Sequence, residues 1–99
     1  MRTCLDRLIA QPRITGSEVR NESAYVTARL EQCRLDGLIS NDAFLDAGVI
    51  QGALTMIADH ADMGVPQKEV QDLIRQQIGR AEKLEAKHPG LDNAVESGR

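Results

Sequence analysis

The stretch "NDAFLDAGVIQGALTMIADHADM", residues 41–63, decides the fold of this 99-residue chain. Its apolar residues recur every three or four positions, which is the period of one face of an α-helix. They are Ala43, Ala47, Ile50, Leu54, Ile57 and Ala61. A second apolar row lies beside the first and repeats every seven residues, at Val49, Met56 and Met63. Together the rows predict a central helix whose wide apolar face needs cover from neighbouring helices or from a second chain.

Two helices are predicted before this stretch. A short one covers about residues 3–11 and stops at Pro12, because proline breaks a helix. A long one covers about residues 17–36 and carries apolar residues at helical spacing. Thr15 is a candidate for its N-cap because a Glu follows three residues later, and Ser17 is the rival cap. The first half of the chain is therefore expected to be helical.

One more long helix is predicted after the central stretch, over about residues 66–88. It begins with a proline, which favours the first helical position, and ends at the Pro-Gly pair that follows. We expect the tail, residues 89–99, to be flexible, with one docked helical turn as the alternative. No segment alternates with the two-residue period of a strand. The predicted fold class is therefore all-α, a single domain built as a small bundle of three long helices plus a short N-terminal helix.

Composition and charge exclude several classes of function. The chain is 41% hydrophobic and 27% charged, as in ordinary soluble domains. It has no signal-peptide pattern and no apolar run near the roughly 18 residues needed to span a bilayer, so we expect a cytoplasmic protein without membrane contact. Residues 41–63 carry four Asp and no Lys or Arg. This acidic centre makes a nucleic-acid surface an unfavourable interpretation.

The segment "CRLDGLISNDAF", residues 33–44, resembles the second half of a calcium-binding EF-hand loop. With Gly37 aligned on the invariant loop glycine, the ligand positions one, three and twelve hold Gln32, Arg34 and Ala43. A calcium ion would therefore lack its carboxylates, including the bidentate Glu. We interpret the segment as a helix stop at Gly37 followed by a helix start at Ser40, and we predict no cofactor.

Few residues are candidates for catalysis or metal binding. Cys4 and Cys33 have no adjacent base that would activate a thiolate. Asp59, His60 and Asp62 form the only cluster with metal-binding or acid–base character, but they do not complete a zinc site. The simpler interpretation is a solvated helix end at which His60 partly offsets the two carboxylates. We therefore predict neither a bound metal nor an enzyme.

Gly48 and Gly52 stand four residues apart inside the best predicted helix, where each costs about 1 kcal/mol relative to Ala. Small residues on one face allow another backbone to come close. In one interpretation a helix of the same chain crosses tightly over them. In the other they form part of a groove for a partner helix or a self-association face.

The segment "IADHADMGVPQKEVQDLI", residues 57–74, resembles a DNA-binding helix-turn-helix. With Gly64 at the turn, however, His60 falls where a small residue normally lets the helices approach. The following helix offers two bases against two acids, so it brings no net positive charge to a phosphate backbone. A helix-turn-helix-like regulator is therefore the alternative function.

The main prediction is a small protein-interaction module, a regulator, adaptor or inhibitor of the kind encoded by bacteria, phages or mobile elements. It acts by binding another protein through a helical surface, and a homodimer is one form of this. The residues predicted to bind the partner are Gly48, Val49, Gly52, Met56, Asp59, His60, Asp62 and Met63.

Overall fold

A computed structural model describes all residues 1–99 and contains five α-helices and no strand. The helices are α1 (Arg2–Ile9), α2 (Gly16–Leu35), α3 (Asn41–Asp62), α4 (Gln67–Lys87) and α5 (Leu91–Glu96). The all-α prediction is therefore confirmed, and α1 to α4 overlap the four predicted segments. None of the five helices is long and apolar enough to cross a membrane.

Helix α3 packs between α2 and α4 and contributes the largest share of the core. We call its buried side chains the inner face of α3: Ala43, Ala47, Ile50, Leu54, Ile57 and Ala58. This face contains all but one residue of the first predicted row, because Ala61 is only partly buried. Helices α1 and α5 pack against α2, α4 and each other, so they complete the bundle without covering α3.

The junction between α2 and α3 is a helix stop followed by a helix start, as the sequence predicts. Gly37 has a φ of 72°, a left-handed conformation that a residue without Cβ adopts freely. The Leu38 amide donates to the Cys33 carbonyl at 2.9 Å, which closes the end of α2. The Ser40 hydroxyl accepts from the Ala43 amide at 3.0 Å and caps α3.

Helix α2 begins where it passes very close to α3. Thr15, not Ser17, is the cap, and its hydroxyl accepts from the Glu18 amide at 3.2 Å. The next residue, Gly16, has no space for a side chain. A Cβ there would overlap the Asp62 carboxylate and lie 2.8 Å from the Ala58 carbonyl oxygen. The close helix approach of this fold is therefore at Gly16.

The C-terminal tail differs from the flexible segment that the sequence suggests. Leu91 and Val95 of α5 are buried in the core. The Tyr25 hydroxyl donates to the Val95 carbonyl at 2.7 Å, and the Arg29 guanidinium donates to another carbonyl of α5. The tail is ordered because α2 supplies both an apolar seat and hydrogen-bond donors for it.

Asp92 joins α5 to α1. Its carboxylate accepts from the Thr3 amide at 3.0 Å, from the Thr3 hydroxyl at 2.6 Å and from the Met1 amino group at 2.7 Å. Burial opposes ionisation of this carboxyl, but these hydrogen bonds outweigh it and lower the pKa of Asp92 to about 2. The contact holds the two short helices together at the side of the bundle away from α3.

Candidate interaction surface

Four large apolar side chains, three on α3 and that of Met63 at its C-cap, are exposed to solvent. We call them the outer face of α3: Leu45, Val49, Met56 and Met63, which are 63%, 56%, 43% and 71% exposed. Their spacings of four, seven and seven residues place them along one line of the helix. Of the two kinds of cover predicted for the second row, neighbouring helices of this chain do not supply it, and cover by a second chain stays a prediction. The row is apolar, but no other helix of the chain lies over it.

The outer face is open because α3 has only two neighbours. Helix α2 lies along one flank, and its Arg20 reaches the end of α3. Helix α4 lies along the other flank, where Lys87 meets Asp46 near the start of α3 at 2.9 Å. Since α1 and α5 pack elsewhere, the side of α3 between these flanks has no cover.

Gly48 and Gly52 lie beside the outer face, and both are exposed. A Cβ built on either residue would meet no atom within 4 Å. The interpretation in which a helix of the same chain crosses tightly over them is therefore wrong. Each glycine still costs about 1 kcal/mol relative to Ala in the interior of a helix. Nothing in the fold of this chain explains why they are glycines.

Asp59 and Asp62 face α2 instead of joining a cluster with His60. The Arg20 guanidinium binds both, with its nitrogens 2.7 Å from an Asp59 oxygen and 2.5 Å from an Asp62 oxygen. The hydrogen bond with Asp62, then that with Asp59, raises the pKa of Arg20. Arg20 therefore supplies a cation for both carboxylates that the sequence does not indicate, and both remain exposed at the solvated helix end that the sequence predicts.

His60 turns back along its own helix. Its Nδ1 lies 2.8 Å from the Met56 carbonyl oxygen. No group of three or more His, Cys, Asp or Glu side chains comes close enough to hold a metal ion. The three polar residues predicted at this end of the surface therefore have structural partners within the chain.

The two thiols lie in the interior. Cys4 and Cys33 are both fully buried and free. Burial raises the pKa of the Cys4 thiol to about 12, so it is not a thiolate near neutral pH. The Cys33 sulfur lies 3.5 Å from the Ala94 carbonyl oxygen, as a weak donor would. Both cysteines act as small core residues.

A groove that the sequence analysis missed lies between α3 and α4, with a volume of about 290 Å³. We call it the basic groove: Val49, Ile50 and Leu84 supply its apolar lining, Arg80, Lys83 and Lys87 supply its basic lining, and Asp46, which pairs with Lys87, is its single acid. Val49 belongs to both the groove and the outer face, so the two surfaces are continuous. No sequence signal points to the groove because its two sides are about thirty residues apart in the chain.

The α3–α4 pair is a helical hairpin and not a helix-turn-helix. Lys87 and His88, at the end of α4, both contact Asp46 near the start of α3, with His88 Nε2 at 2.9 Å. The two helices therefore run antiparallel side by side, whereas the helices of a helix-turn-helix cross at about 90–120°. On the exposed side of α4, Arg75 pairs with Asp72 at 3.2 Å.

Comparison with known proteins identifies no matching protein family, no matching curated protein and no matching solved structure.

Proposed function

We propose that this chain is a small non-enzymatic protein-interaction module that binds another protein through the outer face of α3. The role is that of a regulator, adaptor or inhibitor. The observation that carries the proposal is the outer face itself. Four large apolar side chains follow one line of a helix in solvent, on a chain that places most of its other apolar residues in a core. Contiguous exposed apolar patches of this kind mark binding sites for proteins.

The energetics of the outer face support binding. Full burial of one Leu, Val or Met side chain stabilises a structure by roughly 1.5–3 kcal/mol, and the bundle forgoes most of this at four positions. Met56 and Met63 have unbranched side chains that adapt to the shape of a foreign surface. The open positions at Gly48 and Gly52 would let the backbone of a partner helix come close.

Photo-cross-linking in the cells that express the protein tests the proposal. A photoreactive residue replaces Met56 on the outer face or, as a control, the exposed Asn93 on α5. We expect a discrete cross-linked protein from position 56 alone, and we expect Val49→Glu in the same chain to remove it. Equal cross-linking from both positions, or none from position 56, would contradict the proposal.

A second copy of the chain is one candidate for the partner. Light scattering on the purified chain at high concentration measures this directly. A homodimer through the outer face predicts twice the chain mass, and it predicts that Val49→Glu with Met56→Glu returns the monomer with unchanged helix content. A monomer in the unchanged chain would exclude the homodimer and leave a different protein as the partner.

No observation favours the alternative function, a helix-turn-helix-like DNA-binding regulator. The antiparallel hairpin of α3 and α4 does not present α4 as a recognition helix. The exposed side of α4 carries Lys68 and Arg75 together with Glu69 and Asp72, so its charges cancel. Retardation of a DNA duplex by the chain at low salt would revive this alternative.

A further inference from the structure

We propose that the segment bound by this chain is an acidic amphipathic helix of another protein. Its apolar side lies on the outer face of α3, and its carboxylates meet Arg80 and Lys83 in the basic groove. This inference rests on the proposed function and adds to it the chemistry of the partner. It is carried by the distribution of charge on α4.

The C-terminal half of helix α4, residues 80–87, separates its acids from its bases. Glu82 accepts a hydrogen bond from Arg2 of α1 at 2.5 Å. Glu85 accepts from two backbone amides at the start of α5, at 3.0 and 3.1 Å. These acids therefore serve the side of the bundle formed by α1 and α5. Arg80 and Lys83 lie on the other side of α4, in the basic groove beside α3.

Two of the three cations in the groove have no carboxylate partner. Lys87 binds Asp46 at 2.9 Å. Arg80 donates only to the Gln77 amide oxygen of its own helix, at 3.4 Å, and Lys83 makes no ion pair. In a chain with a net charge of −3, two unneutralised cations beside exposed apolar side chains form a local positive site. Such a site attracts a partner with carboxylates at the matching positions.

The spacing of these groups fits a helix. Val49 and Met56 are seven residues apart on α3, about 10.5 Å along the helix axis, which matches anchors at positions i and i+7 of a partner helix. Arg80 and Lys83 are three residues apart, about 4.5 Å along α4, which is one turn or less of a flanking helix. A partner helix with apolar anchors on one side and acids along one flank would contact both the apolar pair, Val49 and Met56, and the basic pair, Arg80 and Lys83.

A second copy of this chain fits the groove less well. Helix α3 carries four carboxylates that could serve as the acidic flank. Three of them are already paired, Asp59 and Asp62 with Arg20 and Asp46 with Lys87. A second copy of α3 therefore offers a single unpaired carboxylate, Asp42, for two cations. A helix of different sequence is the occupant that the charges favour.

Two synthetic helical peptides with the same leucine spacing test the inference, one with Glu and the other with Lys along its polar flank. Their affinities for the full chain are measured by fluorescence anisotropy. We expect the Glu peptide to bind about ten-fold more tightly than the Lys peptide, since the Glu peptide gains two exposed ion pairs where the Lys peptide meets like charges. Added salt should reduce this difference.

Charge reversal in the chain provides the decisive comparison. In Arg80→Glu with Lys83→Glu we expect the preference to invert, so that the Lys peptide binds more tightly. The matched control is Lys68→Glu with Arg75→Glu, which changes the net charge equally on an exposed part of α4 outside the groove. We expect the control to retain most of the preference for the Glu peptide.

Several results would overturn the inference. These are equal affinity for the two peptides, no binding of the Glu peptide, an equal loss of preference in the control variant, or a homodimer that the Glu peptide does not displace. The proposed function has a separate test, because cross-linking from position 56 does not depend on the charge of the partner. If the two peptides bind with equal affinity and Met56→Glu, which lies outside the groove, abolishes both, the acidic partner is overturned and the outer face stands as a binding surface.

Discussion

The inner and outer faces of α3 are both apolar, but the fold treats them in opposite ways. Ile50, Leu54 and Ile57 of the inner face are at most 1% exposed, whereas the outer-face side chains are 43% to 71% exposed. The difference arises because two helices flank α3 and none covers the third side. An apolar period therefore identifies the faces of a helix, and the number of neighbours decides which face becomes core.

The glycines of the two regions differ in the same way. Gly16 lies where α2 touches α3, and a Cβ there would overlap α3 atoms. Gly48 and Gly52 lie beside the outer face, where a Cβ would meet nothing. Packing within the chain therefore requires a glycine at position 16, but it does not require one at position 48 or 52. Substitutions at these positions test the contrast by their effects on stability and on binding.

The adjacent residues Ile50 and Val49 should respond most differently to the same change. Ile50→Glu places a carboxylate at a core position that is only 1% exposed, so we expect the chain to lose its cooperative fold. Val49→Glu places it in solvent, so we expect the free energy of unfolding to change by no more than about 0.5 kcal/mol. Circular dichroism during urea denaturation measures both. Similar losses from the two variants would contradict the distinction between the faces.

Leu54 and Met56 provide a second pair without any change of charge. Leu54→Ala leaves a cavity in the core, and we expect the free energy of unfolding to fall by about 2–5 kcal/mol. Met56→Ala shortens a side chain that is 43% exposed and leaves no closed cavity, so we expect a change within about 0.5 kcal/mol. The urea midpoint should move for the first variant only. A large loss from Met56→Ala would mean that the outer face is covered in solution.

Gly16→Ala tests the close approach of α2 to α3. The added methyl group has to displace the Asp62 carboxylate and part of the backbone near Ala58, so we expect a loss of about 1–3 kcal/mol. Ser17→Ala, at the exposed next position, is the matched control and should change stability by less than about 0.5 kcal/mol. An unchanged urea midpoint for Gly16→Ala would show that the two helices can separate at little cost.

The features that the sequence predicted correctly are those set by residues within about one helical turn of each other. The spacing of the inner face identified α3, and Gly37 and Ser40 marked the turn before it. These signals are local because helix periodicity and capping involve residues three or four positions apart. The all-α class and most of the inner face could therefore be predicted from the sequence.

The sequence could not predict contacts between residues far apart in the chain. Arg20 lies about forty residues before the two carboxylates that it binds, and Tyr25 lies seventy residues before Val95. The exposure of the outer face has the same origin, because it depends on where α1 and α5 pack. Of the predicted partner-binding residues, Val49, Met56 and Met63 lie in the outer face, whereas His60 turns to the Met56 carbonyl instead.

Substitution of Gly48 or Gly52 should have a small effect on stability, and this effect should be a gain, whereas the core substitutions cause a loss. In Gly48→Ala and Gly52→Ala the new methyl groups meet no atom, and alanine favours a helix interior. We expect the free energy of unfolding to rise by about 1 kcal/mol for each, measured by urea denaturation. Gly37→Ala is the contrasting control, because its left-handed backbone would be strained and stability should fall.

The same two variants should weaken binding even though they stabilise the monomer. A methyl group on the open side of α3 would keep the backbone of a partner helix at a greater distance, while leaving Val49 and Met56 in place. We therefore expect the cross-link from position 56 to fall as the urea midpoint rises. A stabilised double variant that still binds its partner in full would show that these glycines serve neither packing nor recognition, and that the outer face binds through its large side chains alone.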